Sequence, residues 1–122
     1  MSVKKYFCIK DNTIATAFKE NLSSRSELAN MGSADILEIF SIFGQASEES
    51  LEQSRVLLDF PISKIFKDRN NQTIPTSGSV QFKLKLSNTA HGNTTPEKFT
   101  ISAYPLLRAW DEGYGLDMDS YL

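Results

Sequence analysis

Hydrophobic and polar positions follow a strand-like period wherever the pattern along the chain is clear. The cleanest stretch is residues 79–86, where Val80, Phe82, Leu84 and Leu86 share one face and Gln81, Lys83 and Lys85 the other. Two-fold alternation of this kind predicts a half-buried strand with a wet outer face. A second alternation sets Phe99, Ile101 and Ala103 against Thr100, Ser102 and Tyr104, and Pro105 closes it. Residues 36–43 are the most apolar run, broken only by Glu38 and Ser41 and bounded by Gly32 and Gly44, which fits a strand buried on both faces. Residues 55–60 form another apolar strand, ended by Pro61 because proline has no amide hydrogen to give the ladder. Residues 6–11 are a short β-rich segment; residues 13–17 either continue it or turn into a partner strand.

Polar connections separate these runs. Residues 21–33 are rich in Ser and Asn and read as a loop, and residues 45–53 read as a solvated loop or single turn. Residues 62–67 fit one helical turn with Ser63 as its cap, and residues 68–78 have loop composition, with Asn70, Asn71, Pro75 and Gly78. A polar connection at residues 87–98 contains Gly92 and Pro96. At least five strand candidates without a ten-residue helix predict an all-β, antiparallel, jelly-roll-like β-sandwich over residues 1–122. An α/β fold needs helical crossovers that the pattern does not supply.

Length permits this, since 122 residues make one domain that can bury about two thirds of its unfolded surface. Hydrophobic content of 40% and charged content of 23% exclude disordered, collagenous and coiled-coil classes. A net charge of -2 offers nothing to nucleic acid or to an anionic membrane, so neither is expected as a partner. Cys8 is the only cysteine, so no intrachain disulfide forms; it reads as a buried small hydrophobe. The charged first ten residues do not form a signal peptide, and no apolar run approaches the roughly 20 residues that span a bilayer. Folding in a reducing cytoplasm is the natural expectation.

Candidate chemistry is sparse. His91 is the only histidine and lies in an Asn- and Thr-rich loop, so a zinc site or a Cys–His nucleophile would have to be built from Cys8 and His91 alone. Residues 110–119 hold Asp111, Glu112, Asp117 and Asp119 with two glycines and no cation, the oxygen-rich composition that calcium prefers. Their spacing does not match an EF-hand, so no cofactor is assigned; Asp117 and Asp119 are the candidates should calcium bind. Adjacent Asp111 and Glu112 point to opposite faces of an extended chain, which argues against a glycosidase pair. Trp110 reads as the plug of a core end, while Tyr114, between two glycines, is the better candidate for an exposed contact such as stacking on a sugar ring. Lys83 and Lys85 make a solvated stripe that discourages edge-to-edge aggregation.

The order of segments adds a resemblance. Ser54, Arg55, Val56, Leu57, Leu58, Asp59 and Phe60 are followed by Ser63, Lys64 and Ile65, and much later by Trp110, Asp111, Glu112 and Gly113. Together with Met31, Gly32 and residues 35–39, this series resembles the DNRLRE-type β-sandwich domains, which are similar to carbohydrate-binding modules. More closely it resembles related domains in structural proteins of tailed phages. That family carries a Ser-Arg-x-Leu-Leu-x-Phe-Asp strand, a Ser-x-Ile segment and a Trp-x-Glu-Gly turn; here Pro61 stands in the place of the Asp. The resemblance spans most of residues 10–119.

It implies a non-enzymatic virion protein, a capsid decoration, tail or fibre component, assembled in the host cytoplasm. Its partners would be the major capsid protein or tail subunits and further copies of itself. A carbohydrate-binding module or adhesin domain is the alternative, with Trp110 and Tyr114 as ligand contacts. Structural roles fall to Arg55, as a strand-start anchor for a loop carboxylate or carbonyl, and to Phe60 and Trp110 in the core. Domains of this kind continue past the Trp-x-Glu-Gly turn, so either a longer polypeptide or a neighbouring chain is expected to finish the sheet.

Overall fold

Strands β1 (Lys10–Ala15), β2 (Ser41–Phe43) and β3 (Leu51–Asp59) form an antiparallel sheet in the order β1-β3-β2, with β3 long enough to serve both neighbours. In this computed structural model the described residues are 3–19, 21–26, 30–44, 47, 51–76, 78, 80–92 and 95–116. Helix α1 (Ile62–Asn70) follows β3 directly. Regular structure is thus mostly strand with one short helix, a small β-rich fold.

Register follows from the polar and apolar pattern of β3. Thr13 pairs with Val56 and Asp11 with Leu58 on one face, while Asn12 pairs with Leu57 and Ile14 with Arg55 on the other. Val56 and Leu58 are half-buried on the first face, where Thr13 is fully buried. On the second side of β3, Ile42 pairs with Glu52 and Phe43 with Leu51. This pairing begins the strand at Leu51, where a solvated loop through residue 53 was the expectation. The ladder to β2, with the Thr16 amide donating to the Gln53 carbonyl from the other side, outweighs the polar composition of Glu52 and Gln53.

Residues 36–43 differ more. Only Ser41–Phe43 is strand, and Ile36, Ile39, Ile42 and Phe43 are exposed rather than buried on both faces. Side-chain hydroxyls replace the ladder just before it. The Glu38 amide donates to Thr13 Oγ1 (3.1 Å) and the Phe40 amide to Ser54 Oγ (2.8 Å), while Ser54 Oγ donates to the Glu38 carbonyl (2.7 Å).

The helix is also longer than one turn, running nine residues through part of the expected loop. Pro61, not Ser63, occupies its N-cap and makes no side-chain cap. Proline is tolerated there because it adds no amide to the unsatisfied donors of a first turn. Lys67 and Arg69 in the last turn face the negative end of the helix dipole.

Two compact units divide the chain: Met1–Gln81 with Glu112–Leu122, and Phe82–Asp111. The sheet and α1 belong to the first. In the second, residues 82–92 and 95–109 are exposed and carry no strand, so the alternations do not form the expected half-buried strands at the described residues 80–86 and 99–104. Alternation makes a segment competent to pair, but a strand exists only where a partner accepts its backbone hydrogen bonds. Met31 and Ile74 are the only buried hydrophobic residues among those described; the other buried side chains are Asn12, Thr13, Ser26 and Glu52.

Candidate functional site

Asn12 has low intrinsic preference for a strand, yet it sits buried in β1, and its amide explains why. Asn12 Nδ2 donates to the Glu112 carbonyl (2.7 Å), and Asn12 Oδ1 accepts from the Met31 amide (3.1 Å). Beside it the Asp11 amide donates to Glu112 Oε1 (2.8 Å). Glu112 therefore holds β1 twice, once through its carboxylate and once through its backbone. A carboxylate accepting from an outward-facing strand amide closes part of the β1 edge.

Asn30 ties the loop after Glu112 to the segment at Gly32. Its Oδ1 accepts from the Gly32 and Gly115 amides (2.9 Å each), and the Ser33 amide donates to the Gly115 carbonyl (2.9 Å). The packing is close enough that a side chain at Gly32 would collide with the Glu112 carbonyl. Gly113 adopts φ 74°, a left-handed conformation that glycine takes without strain. Tyr114 rides on this tied loop with 89% of its surface exposed. Its ring is thus presented outward on backbone that Asn30 fixes from the next residue.

Desolvation pushes the Asp11 carboxyl above its ordinary value, and the nearby Glu112 carboxylate adds to the effect. A second charged cluster ties the segment before β1 to α1. Tyr6 Oη donates to Asp68 Oδ2 (2.6 Å), and Lys4 Nζ lies 3.6 Å from the same oxygen. Partial desolvation, reinforced by the hydrogen bond and by the Asp68 charge, pushes the Tyr6 phenol up to about 12. That hydrogen bond in turn holds the Asp68 carboxyl below its usual range, with help from Lys4 and Lys64. Arg25 lies over the Phe18 ring at 4.3 Å and donates to the Thr16 and Leu51 carbonyls, while Phe18 donates its amide to the buried Glu52 carboxylate (2.7 Å).

A cavity of about 550 Å³ opens where β3 passes into α1, lined by Ile9, Phe60, Pro61 and Ile62 with Asp59, Ser63, Lys64 and Lys67. Phe60 is accordingly half-buried against an open hollow. Arg55 is exposed opposite Ile14 and anchors no carboxylate or carbonyl among the described residues. Trp110 is half-buried, and Asp117 and Asp119 lie outside the described residues. Among the described residues no group of three or more His, Cys, Asp or Glu is placed to hold a metal, and no helix is long and apolar enough to cross a membrane.

Cys8 is half-buried rather than buried, its thiol donating to the Lys10 carbonyl (3.1 Å). His91 is exposed, with Nε2 3.2 Å from Thr95 Oγ1. Of the residues singled out in sequence, the structure joins Glu112 to β1, sets Gly113 against Asn30 and presents Tyr114. Sequence reading passed over Asn12 and Asn30; an asparagine is uncommon inside a strand, so Asn12 carried a signal, whereas Asn30 stands in a Ser- and Asn-rich loop where it carries none. Comparison with protein-family models, with curated proteins and with solved structures gives no match to this chain.

Proposed function

We propose that this chain is a non-enzymatic structural component of a phage virion, a capsid decoration, tail or fibre protein that acts by packing against neighbouring subunits. The observation that carries the reading is the distribution of apolar side chains. Phe7, Phe43, Phe66, Phe82, Phe99 and Leu107 are all more than half exposed, whereas only Met31 and Ile74 are buried among the described hydrophobic residues. Exposed apolar surface of this extent marks contact surfaces, because a protein working alone gains by burying it. The resemblance of residues 54–60 and 110–113 to tailed-phage structural domains supplies the virion and the jelly-roll-like sandwich. In this reading the sandwich is completed in the assembled particle, with the major capsid protein or tail subunits as partners.

The test is peptide-mapping mass spectrometry of purified particles, with the copy number of this chain measured against the major capsid protein. A fixed, stoichiometric ratio supports a virion subunit; absence from particles overturns it. Glycan recognition is the second reading, favoured by the exposed Tyr114 ring on its fixed loop. Glycan-array binding lost in Tyr114→Ala with folding intact would select it.

A further inference from the structure

The cavity where β3 passes into α1 is framed by fixed backbone. Its lining residue Ile9 is held by its amide, which donates to the Asp59 carbonyl (2.8 Å). Phe60, Pro61 and Ile62 follow as a tight turn, with the Ile62 amide donating to the Phe60 carbonyl (2.7 Å) and the Pro61 carbonyl accepting from the Lys64 and Ile65 amides (3.0 and 3.2 Å). The hollow of about 550 Å³ falls within the roughly 300–1,000 Å³ of small-molecule sites, which are mostly apolar with a few placed polar groups. Ile9, Phe60, Pro61 and Ile62 supply the apolar part here.

The charged part has one sign in excess. Asp59 is engaged by Lys10 Nζ at 3.8 Å, whereas neither Lys64 nor Lys67 makes an ion pair among the described residues. Asp68, the carboxylate that Lys64 helps to keep ionised, is already held by the Tyr6 hydroxyl and by Lys4. Lys64 and Lys67 stand three residues apart on α1, where side chains share a face and like charges repel, so an anion placed between them relieves that repulsion. The surroundings repeat the sign. Residues 3–10 and 59–70 carry Lys4, Lys5, Lys10, Lys64, Lys67 and Arg69 against Asp59 and Asp68, in a chain whose net charge is -2.

We propose that this cavity binds a small amphipathic organic anion, an alkyl or aryl carboxylate whose apolar body lies on Ile9, Phe60, Pro61 and Ile62 and whose carboxylate lies between Lys64 and Lys67. Other ligand classes leave part of the lining idle or penalised. An inorganic anion gains nothing from four apolar side chains. A neutral apolar molecule covers two ammonium groups without replacing the water it displaces from them. A cation meets two lysines and a carboxylate that Lys10 already neutralises. A peptide brings amide groups into the hollow, where Ser63 supplies the only uncharged polar side chain of the lining to receive them. This assignment is independent of the virion reading.

The test titrates the whole, isotopically labelled chain with octanoate, octanol, octylamine and a blocked Leu-Asp peptide, following amide shifts by NMR. Octanoate is expected to shift residues 9 and 59–67 saturably, with a Kd on the order of 1 mM for a ligand of this size. Octanol should bind about three- to tenfold more weakly and octylamine more weakly still, and added salt should weaken octanoate without affecting octanol. Lys64→Gln with Lys67→Gln should weaken octanoate by the same about three- to tenfold and leave octanol and the melting curve unchanged, because both side chains are exposed. Lys83→Gln with Lys85→Gln, in the other unit, should change nothing. Should the lysine variant fail to fold, the ranking of the four probes on the unaltered chain decides. No saturable shift, octanol binding as tightly as octanoate, the peptide binding more tightly than octanoate, or shifts spread over Phe82, Phe99 and other exposed apolar residues would overturn the proposal.

Discussion

Replacing Asn12 by alanine removes the amide that joins β1 to both Met31 and Glu112, and the structure sets the cost. The Met31 amide, on a buried residue, loses its acceptor at 3.1 Å. Leaving such a donor unsatisfied costs about 1–3 kcal/mol. The Glu112 carbonyl loses its 2.7 Å donor but sits on a half-buried residue that water reaches, a loss of about 0.5–1.5 kcal/mol. Together the substitution costs about 2–4 kcal/mol, a large part of the roughly 5–15 kcal/mol that a domain possesses. Each kcal/mol lowers the melting temperature by about 3–5 °C in a domain of this size, so a fall of roughly 6–20 °C is expected. Circular dichroism melts of the wild type and Asn12→Ala give the shift, and urea titration gives the free energy. Gly32→Ala should act through the same junction, so the double variant should lose less than the sum of the two singles. Loss below about 0.5 kcal/mol in Asn12→Ala, the level of ordinary surface substitutions, would refute the junction as the tie that holds β1.

Four further outcomes are expected. The Tyr6 phenol is raised in the fold from its ordinary value of 10.0 to about 12, so its contribution is present in full below the ordinary value and is lost as pH rises towards about 12; Tyr6→Phe removes this alkaline loss in urea titrations across that range. Asp68 is lowered, so its contribution is present above the usual carboxylate range and disappears as pH falls below it; Asp68→Asn flattens the acid limb of the stability profile. Asp11 has the opposite sign, since its raised carboxyl favours the fold when protonated, and Asp11→Asn should raise the melting temperature at neutral pH by removing a charge that burial disfavours and that Glu112 repels. Tyr114→Ala should change stability by less than about 0.5 kcal/mol, because the ring is exposed and the loop is held by Asn30.

How much of this was legible in the sequence depends on the kind of interaction involved. Strand β3 was readable because residues 55–60 form an apolar run closed by Pro61, whereas β1 was legible only in part: residues 6–11 were expected as strand, yet the strand begins at Lys10, and residues 13–17 were left open between a continuation and a turn. The start of β3 at Leu51 was not, since Glu52 and Gln53 join the ladder through backbone pairing, and Glu52 is buried at 2% exposure with its carboxylate accepting from Phe18. At residues 38–40 the Thr13 and Ser54 hydroxyls take over bonds that a pattern assigns to a strand. Residues 82–86 carry the most regular alternation of all and form no strand, because periodicity describes a surface and leaves its complement unspecified. Glu112 and Gly113 were singled out as a turn, but the partners that make the turn matter, Asn12 and Asn30, read locally as ordinary polar residues.

The bonds from Asp11 and Asn12 to Glu112 span 101 and 100 positions of sequence, and the Asn30–Gly115 bond spans 85. During synthesis at about 5–20 residues per second, β1 waits on the order of 5–20 s for the segment that closes its edge. Pairing with β3 becomes possible much earlier, near residue 59, so an unfinished sheet exists for the time it takes to add the next fifty or so residues. Through that interval the amide of Asp11 and the side chain of Asn12 are open to whatever strand comes first. A substitution at Glu112 therefore acts on the order of events as well as on the finished fold, and its yield of correctly folded protein should fall further than its equilibrium stability alone implies.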